Sequence, residues 1–216
     1  MLAQETYSTS LWQLFSQSFD LFSVVLIGGS IAAVALIVRC VLDIKPTRIL
    51  PASSVREARK AVATGSPDDL REFAARDRSF LSPVIEAAAL RLGGPSEAVR
   101  EAAELAASEE CARWFRKIEW LNLIGNVAPL VGLAGTVWGM IIAFASLGAT
   151  GGQAGPAELS DGISKALFHT LLGLCLAIPC LLVFGGYRAI VDRVCTRAMV
   201  VCGELVDAMI ELREEG

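Results

Sequence analysis

Three runs without a single Asp, Glu, Lys or Arg constrain this chain more than any other feature: Leu21 to Val38 is 18 residues, Trp120 to Ala157 is 38 and Ala166 to Tyr187 is 22. A hydrocarbon core of about 30 Å needs roughly 20 helical residues at 1.5 Å rise, so the first and third runs supply one membrane span each. The second run exceeds one span and contains the Gly/Pro-rich stretch Gly148 to Pro156, which ends a helix and leaves a span over 120–147. The expected fold is therefore an all-α membrane protein with three transmembrane helices. Two of these are long and extend into the cytoplasm, alongside a helical cytoplasmic segment.

The basic residues give the orientation. None precedes Arg39, fourteen lie from Arg39 to Lys117, none lies from Ile118 to Ser164, and five lie from Lys165 to Arg213. The positive-inside rule then predicts a periplasmic N-terminus (1–20), a first span (21–42), a cytoplasmic segment (43–119), a second span (120–147), a periplasmic loop (148–162), a third span (163–187) and a cytoplasmic tail (188–216). The N-terminus is expected to be retained: no positive n-region precedes the first apolar run, Asp20 interrupts its approach and no small-residue cleavage pattern follows.

Composition narrows the function. With 54% hydrophobic residues and 19% charged, the chain is too apolar for an ordinary soluble domain, and a disordered or collagen-like chain is excluded. A net charge of −4 with no basic face argues against a nucleic-acid partner. The six cysteines contain no Cys-x-x-Cys and lie in spans or on the cytoplasmic side, so neither a disulfide nor a metal site nor a cofactor is expected. With one His and no nucleophile–base set or phosphate loop, an enzyme is not expected either.

In the cytoplasmic segment, short helices alternate with stop signals. Ser66-Pro67-Asp68-Asp69 reads as an N-cap with proline at N1, Ser82-Pro83 reads the same way, and Gly93-Gly94 stops that second helix. From Ser96 to Leu147 the only strong breaker is Pro129, which predicts one helix of roughly 50 residues, about 75 Å long. From Ser160 to Glu215 the only proline is Pro179, and Val191, Val194, Ala198, Val201, Leu205, Ala208 and Leu212 form an apolar stripe.

Helical geometry sorts the candidate functional residues. At 100° per residue, Asn122, Asn126, Pro129 and Thr136 share a face of the second span. A threonine bonding back to its own helix is the structural alternative for Thr136, but two amides on that face call for a wet cavity or an interhelical contact. Gly125, Gly132, Gly135 and Gly139 occupy the adjoining arc, a pattern that means close helix packing. In the third span Thr170, Gly173 and Ala177 share a face, with Thr170 at a depth similar to Thr136. His169 is the only titratable side chain deep in a span, either a proton relay or an interfacial hydrogen-bonding group. No Asp or Glu lies inside any span, so a carboxylate for proton movement has to come from a partner.

The stretch from Leu123 to Phe144 (LIGNVAPLVGLAGTVWGMIIAF), together with Gly162 to Pro179 (GISKALFHTLLGLCLAIP), resembles the proton-channel family of TolQ, ExbB and MotA. Length and span count are similar to ExbB and TolQ. The resemblance implies a homopentamer around a hydrophobic pore in the bacterial inner membrane. That pore would hold an ExbD- or TolR-like single-span partner whose intramembrane Asp carries the proton, with a TonB- or TolA-like protein downstream. It also implies pore-facing roles for Thr136 and Thr170. Many family members carry Glu in the Gly-Ile-x-Glu-Ala-Leu pattern, where this chain has Lys165. That lysine either snorkels to the interface or modulates the ion path. A non-conducting membrane scaffold is the alternative the residues leave open.

Overall fold

The computed structural model describes residues 19–149 and 156–215. Every secondary-structure element among them is a helix: α1 (Leu21–Asp43), α2 (Pro46–Ile49), α3 (Ala52–Ala63), α4 (Pro67–Arg76), α5 (Leu81–Arg91), α6 (Ser96–Ala149) and α7 (Pro156–Glu215). The helices α1, α6 and α7 are each long and apolar enough to cross a membrane. The expected long helices are thus present, α6 with 54 residues and α7 with 60. Helix α7 starts at Pro156, earlier than Ser160, because a proline at the first helical position loses no hydrogen bond there. Pro129 and Pro179 sit inside their helices, each lacking one N–H of the ladder. The rest of the expected 148–162 loop and the residues before Phe19 lie outside the described residues.

The chain divides into two compact units. One holds the three apolar segments, 19–38, 120–149 and 156–184. Asp20 caps α1: its Oδ1 accepts from the backbone N–H of Ser23 at 3.0 Å, which satisfies one of the free donors of the first turn. The same carboxylate is where sequence alone shows only an interruption of the apolar run. Large side chains such as Leu130, Ile142, Phe144, Leu171 and Leu182 remain exposed on this unit, a surface suited to lipid or to other protein and not to water.

The second unit comprises Arg39–Glu119 and Gly185–Gly216. Its core gathers Ile49, Leu70, Phe80, Leu81, Ile85, Val99 and Val191, all essentially buried. Ser66 is the N-cap of α4 with Pro67 at N1, as its sequence indicates. Ser82-Pro83 does not open α5. That helix starts at Leu81, and the Ser82 hydroxyl donates instead to Ala74 O at 2.8 Å. The start is set upstream by Asp77, which accepts from the Ser79 N–H at 3.1 Å and from the Ser54 hydroxyl at 2.8 Å, while Ser79 Oγ accepts from the Leu81 N–H at 3.2 Å. Gly93-Gly94 does end α5, with Gly94 N–H bonded to Arg91 O at 2.9 Å.

The buried stripe of the tail runs through Val191, Cys195, Ala198, Cys202, Leu205 and Met209. Val194, Val201 and Ala208 lie only half-buried beside it and Leu212 is exposed, so the stripe is rotated from the one the aliphatic residues suggest. The difference comes from cysteine, which packs as a small hydrophobe. Burial pushes the Cys195 and Cys202 thiols up to about 12, and raises Cys111, whose thiol hydrogen-bonds Cys195. Arg213 fastens the tail to the turn after α5. Its guanidinium donates to Leu92 O at 3.1 Å, Gly94 O at 2.6 Å and Ser96 Oγ at 2.9 Å.

Candidate functional site

Within the apolar unit, α6 and α7 run antiparallel and meet along a seam of small residues. A Cβ added at Gly139 would lie 2.8 Å from Ala166 Cβ, one at Gly132 2.7 Å from His169 O, one at Gly173 2.6 Å from Ala128 O, and one at Gly125 2.7 Å from the Leu181 side chain. Gly135 faces the His169 ring, with 2.9 Å to its Cβ and Cγ, and Ala177 is 3% exposed. At Gly132 and Gly173 the neighbour is main chain, which cannot swing aside. Gly162 extends the seam toward Ala143, at 2.8 Å.

This close approach brings the two threonines together. The hydroxyls of Thr136 and Thr170 are in hydrogen-bond contact. Around them, Thr136 Oγ1 lies 3.1 Å from Gly132 O and 3.2 Å from Ala166 O, and Thr170 Oγ1 lies 3.3 Å from Gly132 O. Four oxygens therefore share two hydroxyl protons. Whichever way these are arranged, lone pairs remain to accept from an outside donor such as water or a protonated carboxyl. Both threonines are half-buried, so the cluster retains an accessible edge. Thr136 thus bonds back to its own helix and also across to α7.

The two amides do not join this cluster. Asn126 Nδ2 donates to Asn122 O and Asn122 Oδ1, both at 2.8 Å, so the pair is served within one turn of α6. Asn126 is exposed and Asn122 half-buried on the unit's surface. Pro129 is half-buried, Pro179 is exposed and Lys165 is half-buried one turn before His169.

His169 occupies an unforeseen environment. It is 3% exposed, and its Nε2 lies 2.9 Å from Asp20 Oδ1 and 3.2 Å from Ser23 Oγ. The Phe22 ring meets it edge-on at 6.3 Å. Asp20 and Ser23 are functional candidates that sequence reasoning missed. Asp-x-x-Ser ahead of an apolar run signals a helix cap, but nothing local points to a residue 149 positions away.

Three apolar helices, two of them joined by a backbone-close seam that carries a hydroxyl pair, define a multi-pass membrane protein. The sequence match agrees: residues 74–199, more than half of the chain, match the MotA/TolQ/ExbB proton channel family, and the chain belongs to that family. Its relatives are of the ExbB and TolQ type. It is 32% identical over 129 residues to the biopolymer transport protein exbB1 of Vibrio cholerae, covering 58% of this chain and 57% of that one. It is 38% identical over 93 residues to the Tol-Pal system protein TolQ of Pseudomonas aeruginosa, covering 43% and 40%. An ExbB-like biopolymer transport protein of Synechocystis is 36% identical over 151 residues, covering 68% and 52%. The chain spans about half the length of the curated relatives it matches.

Proposed function

We propose that this protein is the channel-forming subunit of an ExbB/TolQ-like motor in the bacterial inner membrane, with the N-terminus and the 148–162 loop periplasmic and the C-terminus cytoplasmic. Five copies enclose a pore that holds an ExbD- or TolR-like helix. Protons pass by way of that partner's intramembrane Asp, and the motion energises a TonB- or TolA-like protein acting at the outer membrane. The observation that carries this reading is the contact between the Thr136 and Thr170 hydroxyls, set among carbonyls on two spans that hold no carboxylate of their own.

The chemistry follows from the cluster. A protonated partner carboxyl donates to a threonine lone pair, and an ionised one accepts from a threonine O–H. The hydroxyl pair serves both states of the acid by rotating its own protons, and leaves the proton free to move. The exposed apolar side chains of the spans are the surface that neighbouring copies and lipid cover. Asn122, Asn126 and the half-buried Lys165 line the approaches to that path in this arrangement.

The test is proton flux in proteoliposomes containing the protein with its coexpressed single-span partner. Thr136→Val or Thr170→Val keeps the shape and removes the hydroxyl, and should reduce flux at least tenfold while the complex still assembles. Unchanged flux, or a native mass that lacks five copies and ignores the partner, would favour a non-conducting scaffold instead.

A further inference from the structure

The apolar unit contains one arrangement that the threonine pair does not use. His169 is nearly inaccessible, yet its ring is anchored to a carboxylate that is 37% exposed in its side chain, so a buried base is wired to the edge of the unit. The carboxylate of Asp20 only accepts, so the proton on the shared contact belongs to Nε2, and Ser23 Oγ lies close enough to share it. That fixes the neutral tautomer and leaves Nδ1 as a lone-pair nitrogen. This Nδ1 is buried and has no hydrogen-bond partner among the described residues. An unsatisfied basic nitrogen in an apolar interior is costly to keep, and here it is the next place a proton can bind.

Among the described residues the charges around it are few. Helix α6 carries no Asp, Glu, Lys or Arg from Trp120 to its end, and α1 carries none from Leu21 to Val38 apart from the capping Asp20 that precedes it. On α7 the neighbouring charged groups are Lys165, one turn before, and Asp161, two turns before. Asp20 is therefore the group in direct contact with the ring, and it is of the sign that balances an imidazolium.

We propose that Asp20 and His169 form a proton-binding site beside the threonine pair, which takes up one proton at His169 Nδ1 and holds it as an imidazolium–carboxylate pair. The proposal rests on the proton-channel reading for its role, though not for its existence. A hydronium ion delivers the proton and leaves as water. One O–H bond of that ion breaks as the Nδ1–H bond forms, its electron pair stays on the water oxygen, and release reverses the step. His169 adjoins Thr170 in sequence, so the site lies on the same turn of α7 as that member of the threonine pair.

The protein has a single histidine, so the test is direct. In full-length protein labelled with ¹⁵N-histidine and reconstituted in lipid, solid-state NMR reads both ring nitrogens against pH. Expected are an Nε2–H tautomer at high pH, one transition to the doubly protonated ring on acidification, and a transition altered in Asp20→Asn, which removes the contacting charge. Asparagine keeps the helix cap and removes only the charge. In the partner complex, flux through His169→Gln should lose the pH dependence in the range of that transition. A ring that stays neutral from pH 9 to the acid limit of folding, a midpoint unmoved by Asp20→Asn, or an unaltered flux profile in His169→Gln would each overturn the proposal. The NMR arm needs no channel activity. A complex that conducts no protons at all would therefore count against the proposed function and leave the binding site to be decided by the NMR.

Discussion

Replacing Gly173 with alanine tests whether the α6–α7 seam is held by main-chain contact. The added methyl would lie 2.6 Å from Ala128 O and 3.3 Å from Gly132 Cα, whereas ordinary contact begins near 3.4 Å. The helices must open by about 0.8 Å at that point, since neither neighbour is a rotatable side chain. Two bonds of the threonine cluster are already long, at 3.2 and 3.3 Å, and would pass beyond hydrogen-bond range. Overpacking costs about 1–3 kcal/mol and each interhelical bond roughly 0.6 kcal/mol, against about 0.5–1 kcal/mol gained by replacing glycine in a helix. The net loss is therefore about 2 kcal/mol. Gly28→Ala is the control, because nothing lies within 4 Å of the added methyl. Reversible unfolding in mixed micelles, followed by far-ultraviolet circular dichroism, should show Gly173→Ala destabilised and Gly28→Ala unchanged or slightly stabilised. Equal stability of the two variants would refute the account of the seam.

Arg213→Ala should destabilise the second unit by about 2 kcal/mol, since it leaves two carbonyls and a hydroxyl without their charged donor, and Arg213→Lys should recover only part of this; urea unfolding measures both. Asp77→Ala should cost a similar amount, about 2 kcal/mol, by freeing Ser54 and the Ser79 N–H at the start of α5, and should raise proteolysis of the loop before that helix. Cys195 and Cys202 should resist maleimide labelling at pH 8 in the folded protein and react on unfolding. Because folding raises both thiols to about 12 from 9.0, the stability they contribute is complete below pH 9 and is lost as pH climbs from 9 toward 12, which unfolding midpoints across that range will show.

Much of this fold is written in the distribution of charge. The three apolar runs, the length of α6, the cap at Ser66-Pro67 and the stop at Gly93-Gly94 all follow from local chemistry and appear where local chemistry puts them. Helical periodicity also picks out Thr136, Thr170 and the glycines beside them as candidates, because each set lies on one helix, and the structure brings the two helices together there. What it cannot supply is which residue on another helix each will meet. The Asp20–His169 contact joins the start of α1 to α7, and no periodicity within either segment encodes it. For Asn122 and Asn126 the shared face suggests a cavity or an interhelical contact, and the four-residue spacing also lets the Asn126 amide donate to Asn122. Ser82 shows that a cap motif loses when a stronger acceptor, here Asp77, organises the chain a few residues earlier.

The seam also governs which movements are open to the pair of spans. Its matched notches recur every three or four residues, at Gly125, Ala128, Gly132, Gly135 and Gly139. A four-residue slide to the next register is a displacement of about 6 Å, and at intermediate offsets a methyl must ride over main chain. Such a joint behaves as a detent: it resists gliding, and α6 and α7 move together as one stave. Displacement then falls to the smooth apolar outer faces, while the threonine pair keeps a fixed geometry.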